Sequence, residues 1–423
     1  MTQDISNARP GAGALTWIAG GTTFTRDDIV HYRGKQTTPL DEAACRFDLI
    51  LTGPHATAAV PEELRSWLLP HVTRRMQYDF SDVSTSALCR AWADADERVL
   101  YIENPHPRLL FDPNRPHPED VERDLREAFR IVRKAGDGTP SFAGVDAVRP
   151  ITFGGFRYLR EPASETEWAE LIGLLESLAV RGSLVYRQTR DQLIEEVYRA
   201  KARRLATVDL ATIPARDLAS VRTLLVNCVH DTMNATMSPD GAIDRPRAPT
   251  DELPSIVSLG NRGDRNGESR PPDGGGLLPP RDVPTMEPAL LRSFRRSLQL
   301  AFEIDDVDVD ASLELNKPYL GAFEVQHIGR RLRELDTRGP VRHDCGHGFL
   351  EMRSGAVQSE FRRETIVGPR VEGELRAAGD GWPDTDTEHT RRFAERLATA
   401  IELLREWDYD LPPITPHRDP RYR

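Results

Sequence analysis

Two histidines in this sequence each close an apolar run of strand-forming residues. His55 ends Asp48-Leu-Ile-Leu-Thr-Gly-Pro-His55, and His230 ends Thr223-Leu-Leu-Val-Asn-Cys-Val-His230. Open α/β sheets build their sites outside the carboxyl ends of their strands, so the pattern predicts two imidazoles at one sheet edge. Two imidazoles and one carboxylate form a donor set for a divalent ion that leaves a position for water, as in hydrolytic zinc sites. A lone histidine at a strand end is more often simply hydrogen-bonded. The repetition is what argues for a ligand pair.

The third ligand is less clear. The spacing His-x-x-Glu is absent, because Ala58 stands three residues after His55. Asp82, in Asp79-Phe-Ser-Asp82-Val-Ser-Thr85, is the better candidate, although an Asp just before a helix is most often its N-cap. Glu62 and Asp79 compete with it. A second set of residues could bind or activate a substrate. Leu109-Leu-Phe-Asp112-Pro-Asn114-Arg115-Pro116 places an Asn-Arg pair after another apolar run, and a guanidinium grips a carboxylate through two parallel hydrogen bonds. The plainer alternative pairs Arg115 with Asp112. Arg108 could support the same pocket and a developing oxyanion. In Val357-Gln-Ser-Glu360-Phe-Arg362, a period of two puts Gln358, Glu360 and Arg362 on one strand face. Glu360 there is a candidate general base, or else a strand Glu salt-bridged to Arg362 and Arg363. His343-Asp-Cys345-Gly-His347 reads as a glycine turn rather than a second metal site.

The elements that must position these groups alternate in type. Strands are expected at 48–53, 98–102, 109–111 and leading up to His230. Helices are expected at 62–75, 83–95, 118–134, 165–179, 191–205, 288–302 and 387–407. The alternation implies an α/β, three-layer αβα architecture with a mostly parallel mixed sheet. Residues 1–45 read as a lead-in packing on the core, 46–370 as the catalytic domain and 371–423 as a helical extension. The proline- and glycine-rich stretch 238–284 reads as a long loop, and a loop of that length is usually functional or disordered.

Composition narrows the partners. The chain has 423 residues and a net charge of −11, which argues against a nucleic-acid or anionic-membrane partner. No apolar run is long enough to span a bilayer, and no secretory signal is visible. The four cysteines, Cys45, Cys89, Cys228 and Cys345, never form a CxxC pair, so they read as reduced thiols in a soluble, cytoplasmic protein.

Taken in order, these motifs resemble the N-formylglutamate amidohydrolase family. Gly53-Pro54-His55-Ala56 is similar to the family's Pro-His motif, and Arg108 through Asp112-Pro-Asn114-Arg115-Pro116 is the most specific match. Val226-Asn-Cys-Val-His230-Asp231, Ser258-Leu-Gly260, Asn316-Lys-Pro318-Tyr-Leu-Gly321 and Gln358-Ser-Glu360 resemble further family segments. Thr57, Asn227 and Asp231 depart from the family's usual Gly, Asp and Ser. The resemblance implies a zinc-carboxypeptidase-like (phosphorylase/hydrolase-like) fold and one Zn2+ on His55, Asp82 and His230. It also implies Glu360 as catalytic base and Arg115, beside Asn114, as the substrate-carboxylate site. The implied activity is hydrolysis of an N-formyl or other N-acyl amide on a small acidic amino-acid or peptide-like substrate, with Arg108 assisting. A carboxypeptidase-like peptidase or a non-catalytic dicarboxylate-binding protein are the rival readings.

Overall fold

Leu49, Ile50 and Leu51 are almost completely buried, as expected for a strand covered on both faces. In the computed structural model, which describes residues 13–135, 142, 144–145, 148–209, 213–271, 282–337, 342–344 and 349–410, this run is an interior strand of a seven-stranded sheet. Its strands are β1 (Val30–His31), β2 (Leu49–Gly53), β3 (Val99–Glu103), β4 (Thr223–Thr232), β5 (Val257–Gly260), β6 (Leu313–Leu315) and β7 (Arg353–Arg362). They lie in the order β6-β5-β7-β4-β2-β3-β1. Only β5–β7 and β1–β3 are antiparallel, so the sheet is mixed and mostly parallel.

Alternation along the strands divides the core into two layers. Leu49, Leu51, Val99, Leu225 and Val357 pack with the helices Val83–Ala95 (α1), Pro288–Ala301 and Thr387–Asp410. Ile50, Leu100, Val226 and Ala356 pack on the other face with Ser183–Thr207, Phe323–Thr337 and N-terminal residues such as Ile29 and Phe47. The chain therefore adopts the expected three-layer α/β architecture. Burying one such side chain contributes roughly 1.5–3 kcal/mol, which makes the sheet a stiff platform for loops at its carboxyl edge.

Several local expectations differ. The segment expected as one helix over 62–75 is a short 3-10 turn, Glu62–Trp67, followed by a separate helix, Arg74–Asp79, which Thr73 caps through its bond from the Met76 amide at 3.2 Å. Residues 109–111 form no strand: Leu110 makes only an isolated bridge to Val148, and Phe111 has a φ of 48°. The stretch 238–284 is not all loop. It contains Ile243–Pro246, paired with Ala235–Met237, and strand β5, next to the sheet's edge, whose buried Val257 and Leu259 the proline-rich context disguised. Helices Phe323–Thr337 and Arg363–Arg376 were not anticipated. The turn expected at His343–His347 includes residues 345–347, which lie outside the described residues.

Candidate metal centre

His55 lies two residues beyond the end of β2, and Asp82 immediately precedes α1. His230 stands inside β4 rather than at its end, because β4 continues to Thr232 alongside the ten-residue strand β7. The register sets His230 directly beside Glu360. Each of these side chains is buried or nearly so, and the candidate ligand atoms of His55, Asp82 and His230 lie within 4.8 Å of one another.

The two imidazoles converge on one oxygen. Nδ1 of His55 is 3.1 Å, and Nδ1 of His230 2.9 Å, from Asp82 Oδ2. Nε2 of His55 lies 2.5 Å from Asp112 Oδ1. Donation to Asp112 fixes the ring and directs the Nδ1 lone pair of a neutral imidazole toward Asp82. This is how a carboxylate orients a metal-bound histidine. A divalent ion held by the three groups would take the lone pairs of the two Nδ1 atoms and an oxygen of Asp82. Burial alone would raise the Asp82 pKa, but the His55 charge, hydrogen bonds from both histidines and Arg108 hold it far below the usual carboxylate range. The Asp82 carboxylate thus stays ionised, and the N,N,O donor set of this candidate site fits zinc.

Asp82 is available because another residue caps its helix. Although it occupies the N-cap position of α1, it makes no side-chain cap bond. Asp231 supplies that bond from the neighbouring strand, with its Oδ2 accepting from the Thr85 amide at 3.0 Å. The other Asp231 oxygen pairs with Arg363, whose Nη2 donates to the Ser81 carbonyl at 2.7 Å. The substitution of Asp for the usual Ser after His230 therefore has a structural use here: a buried ion pair takes over the cap.

The remaining expected residues gather in the same cavity, of about 780 Å³, lined by Arg108, Asn114, Arg115, Phe153, Gln358 and Glu360 among others. Arg108 lies 3.3 Å from Asp82 Oδ1 and 3.6 Å from Asp112 Oδ2, with its guanidinium 4.6 Å from the Phe153 ring centroid. Asn114 accepts from the Glu324 amide at 3.0 Å, which ties the Asn-Arg segment to helix Phe323–Thr337. Arg115 is not paired with the Asp112 carboxylate; its Nη1 donates to the Asn114 carbonyl at 2.8 Å. Glu360 receives Gln358 Nε2 at 3.3 Å and forms no ion pair among the described residues. Arg363 instead binds Asp231, so the salt-bridged alternative for Glu360 does not hold. Burial raises the Glu360 pKa, against the opposing charges of His230 and Arg247.

The competing ligands are not part of the cluster: Asp79 lines the cavity but is engaged by an arginine, and Glu62 does not line it. Asp79 is 3.4 Å from Arg363, and Glu62 bonds Arg65 at 2.9 Å. Sequence reasoning missed three contributors: Asp112 as the His55 partner, Asp231 as the helix cap, and Arg363. The Asp-Pro-Asn-Arg-Pro motif was a usable signal for Asp112.

A family model described as N-formylglutamate amidohydrolase matches residues 47–337. The chain belongs to the N-formylglutamate amidohydrolase family. Compared with curated proteins and with solved structures, it gives no significant match. Family membership agrees with the zinc-carboxypeptidase-like α/β sheet and covers His55, Asp82, Arg115 and His230. The match ends before β7, so the case for Glu360 comes from strand register rather than from the matched region. No helix among the described residues is long and apolar enough to cross a membrane.

Proposed function

We propose that this protein hydrolyses an N-acyl amide on a small carboxylate-bearing substrate, at a zinc ion held by His55, Asp82 and His230. The observation that carries this reading is the buried His-Asp-His cluster with Glu360 directly beside it in a family of amidohydrolases. When bound, zinc supplies Lewis-acid polarisation and lowers the pKa of water toward neutrality. Glu360, a carboxylate with no ion pair among the described residues, accepts a proton from the attacking water and delivers it to the leaving nitrogen as the C–N bond breaks. Arg108, anchored by Asp82 and Asp112, places positive charge at the rim where an oxyanion would form. Arg115 holds the carboxylate of the amine portion and Asn114 fixes the segment that carries it, so the carbonyl is already oriented when it reaches the cluster.

The test combines metal analysis with a screen of N-formyl and N-acetyl amino acids. One zinc per chain, with cleavage that a chelator abolishes and zinc restores, supports the reading. A metal-free protein that binds dicarboxylates without cleaving amides would overturn it. Replacing either His55 or His230 by Ala should remove most bound zinc without unfolding the sheet; near-full occupancy in both variants would reject the ligand set.

A further prediction concerns charge. Charge-assisted hydrogen bonds contribute roughly 1.5–3 kcal/mol, so Arg115→Ala should lower kcat/KM on a carboxylate substrate by about ten- to a hundredfold. It should lower kcat/KM much less on the corresponding neutral amide. Arg115→Lys should recover only part of the loss, because it restores charge without the planar fork. An equal loss on both substrates would make Arg115 structural.

A further inference from the structure

Most arginines lining the cavity already have acidic partners. Arg108 is held by Asp82 and Asp112, Arg363 by Asp231 and Asp79, and Arg262 by Asp282. Two guanidinium groups, those of Arg115 and Arg247, have no carboxylate partner among the described residues. Arg247 is braced by neutral groups. Its Nη1 donates to the Tyr319 hydroxyl at 2.6 Å and its Nη2 to Thr232 Oγ1 at 3.0 Å. Its Nε is buried without an acceptor. The hydroxyls fix the orientation of the fork without placing a carboxylate at ion-pair distance from it. A half-buried cation prepared in this way suits an incoming anion with a planar pair of oxygens.

The two arginines flank the ligand cluster. Arg115 lies in the segment that follows β3. Arg247 is anchored to the end of β4 and to Tyr319, which follows β6. In the order β6-β5-β7-β4-β2-β3-β1, Tyr319 follows β6 on one side of the His230 and His55 strands and Arg115 follows β3 on the other, while Thr232 ends the His230 strand itself. The electrostatics divide the same way, with Arg247 acting on Glu360 and Asp79 and Arg115 on Asp112. A cavity of about 780 Å³ is in the range that encloses drug-sized molecules, so a formyl group would leave the Arg247 side unfilled.

We propose that Arg247 receives a second carboxylate, carried on the acyl portion of the substrate. The preferred substrate class is then an N-(carboxyacyl) amino acid, an amide with one carboxylate on each side of the scissile bond. This inference rests on the amide-hydrolysis reading above. With Arg115 holding the amine-side carboxylate and the carbonyl at the cluster, a group that reaches Arg247 must be attached to the acyl carbon. Hydrolysis adds water across the bond: the acyl carbon gains a hydroxyl oxygen, the C–N bond breaks, and the nitrogen takes a proton. The products are a dicarboxylate and an amino acid.

The test uses the full-length, zinc-loaded protein with N-succinyl-L-alanine and with the same compound bearing a terminal amide in place of the succinyl carboxylate. Wild type should favour the carboxylate form by about ten- to a hundredfold in kcat/KM, and the ratio should fall toward one in Arg247→Ala. Arg247→Lys should restore it partly. Arg247→Gln, which keeps a donor for Tyr319, reads the same ratio if the Ala variant fails to fold. Calorimetric binding of both compounds to the zinc-loaded Glu360→Gln variant gives a readout independent of turnover. A wild-type ratio near one, or a preference that survives in the Arg247 variants, overturns the proposal and leaves amide hydrolysis standing. Arg247-dependent binding of the carboxylate form without cleavage by wild type keeps the second anion site and overturns the hydrolase reading. Neither binding nor cleavage overturns both.

Discussion

Glu360→Gln should retain zinc and lower kcat by about 10²- to 10⁴-fold, the usual contribution of a positioned acid–base group. Gln keeps the size and hydrogen-bonding capacity of Glu but cannot accept the proton of the attacking water. The substitution should be well tolerated, because Glu360 forms no ion pair among the described residues and accepts a hydrogen bond from Gln358. Its proximity to His230 is a backbone property, fixed by the parallel pairing of β7 with β4. Activity should also follow the ionisation of Glu360. A general base works when deprotonated, so kcat/KM should rise with pH through its pKa. Burial raises that pKa, which places the acid limb above the ordinary carboxylate value of 4.5. Parallel measurements of zinc content and kcat/KM decide the case. Near-normal turnover in a zinc-replete variant would reassign the role, with Glu364 the next candidate; its carboxylate, however, already accepts from the Asn234 amide at 3.0 Å.

Much of this arrangement was legible because it follows from strand physics. Leu49–Leu51 and Leu224–Val226 are continuous apolar runs, and such runs in an α/β chain become buried parallel strands whose carboxyl ends carry the site. The period of two in β7 likewise put Gln358 and Glu360 on one face, and the 3.3 Å bond between them agrees. Local pattern failed where tertiary partners decide the outcome. Val257–Gly260 is a strand of four residues in a proline-rich stretch, too short for its alternation to stand out, and it is secured by β6 and β7. The site itself was hardest to read where one residue acts for another. At the sequence level Asp82 looked like a helix cap, and nothing nearby in the chain revealed that Asp231, 149 residues away, performs that task. Asp112 resembled a partner for Arg115, yet its oxygens face His55 and Arg108.

That division of labour makes Asp231→Ala the most damaging substitution expected outside the ligand set itself. Arg363 is only 2% exposed at its side chain, and Asp231 is its close, fully buried counter-ion. Removing one partner of a buried pair leaves an uncompensated charge and typically costs about 3–5 kcal/mol. The residual contact from Arg363 to Asp79, at 3.4 Å, should soften that loss without abolishing it. A second effect concerns the metal. Without Asp231, the Thr85 amide keeps only the Asp82 carbonyl, at 3.1 Å, and the carboxylate best placed to take over the side-chain cap belongs to Asp82 itself. Any share of time Asp82 spends capping α1 is lost to the cation, and outer-shell changes of this kind typically weaken metal binding by about 10- to 100-fold. Urea unfolding of the metal-free protein measures the first effect, and zinc competition with a chelator measures the second. The double variant Asp231→Leu/Arg363→Met removes both charges together and should be less destabilised than Asp231→Ala, because no buried charge is left alone. It should still bind zinc weakly, since the cap on Thr85 is still missing. Wild-type zinc affinity in Asp231→Ala would mean that Asp82 is held in place by the histidines alone and that Asp231 serves only the stability of the fold.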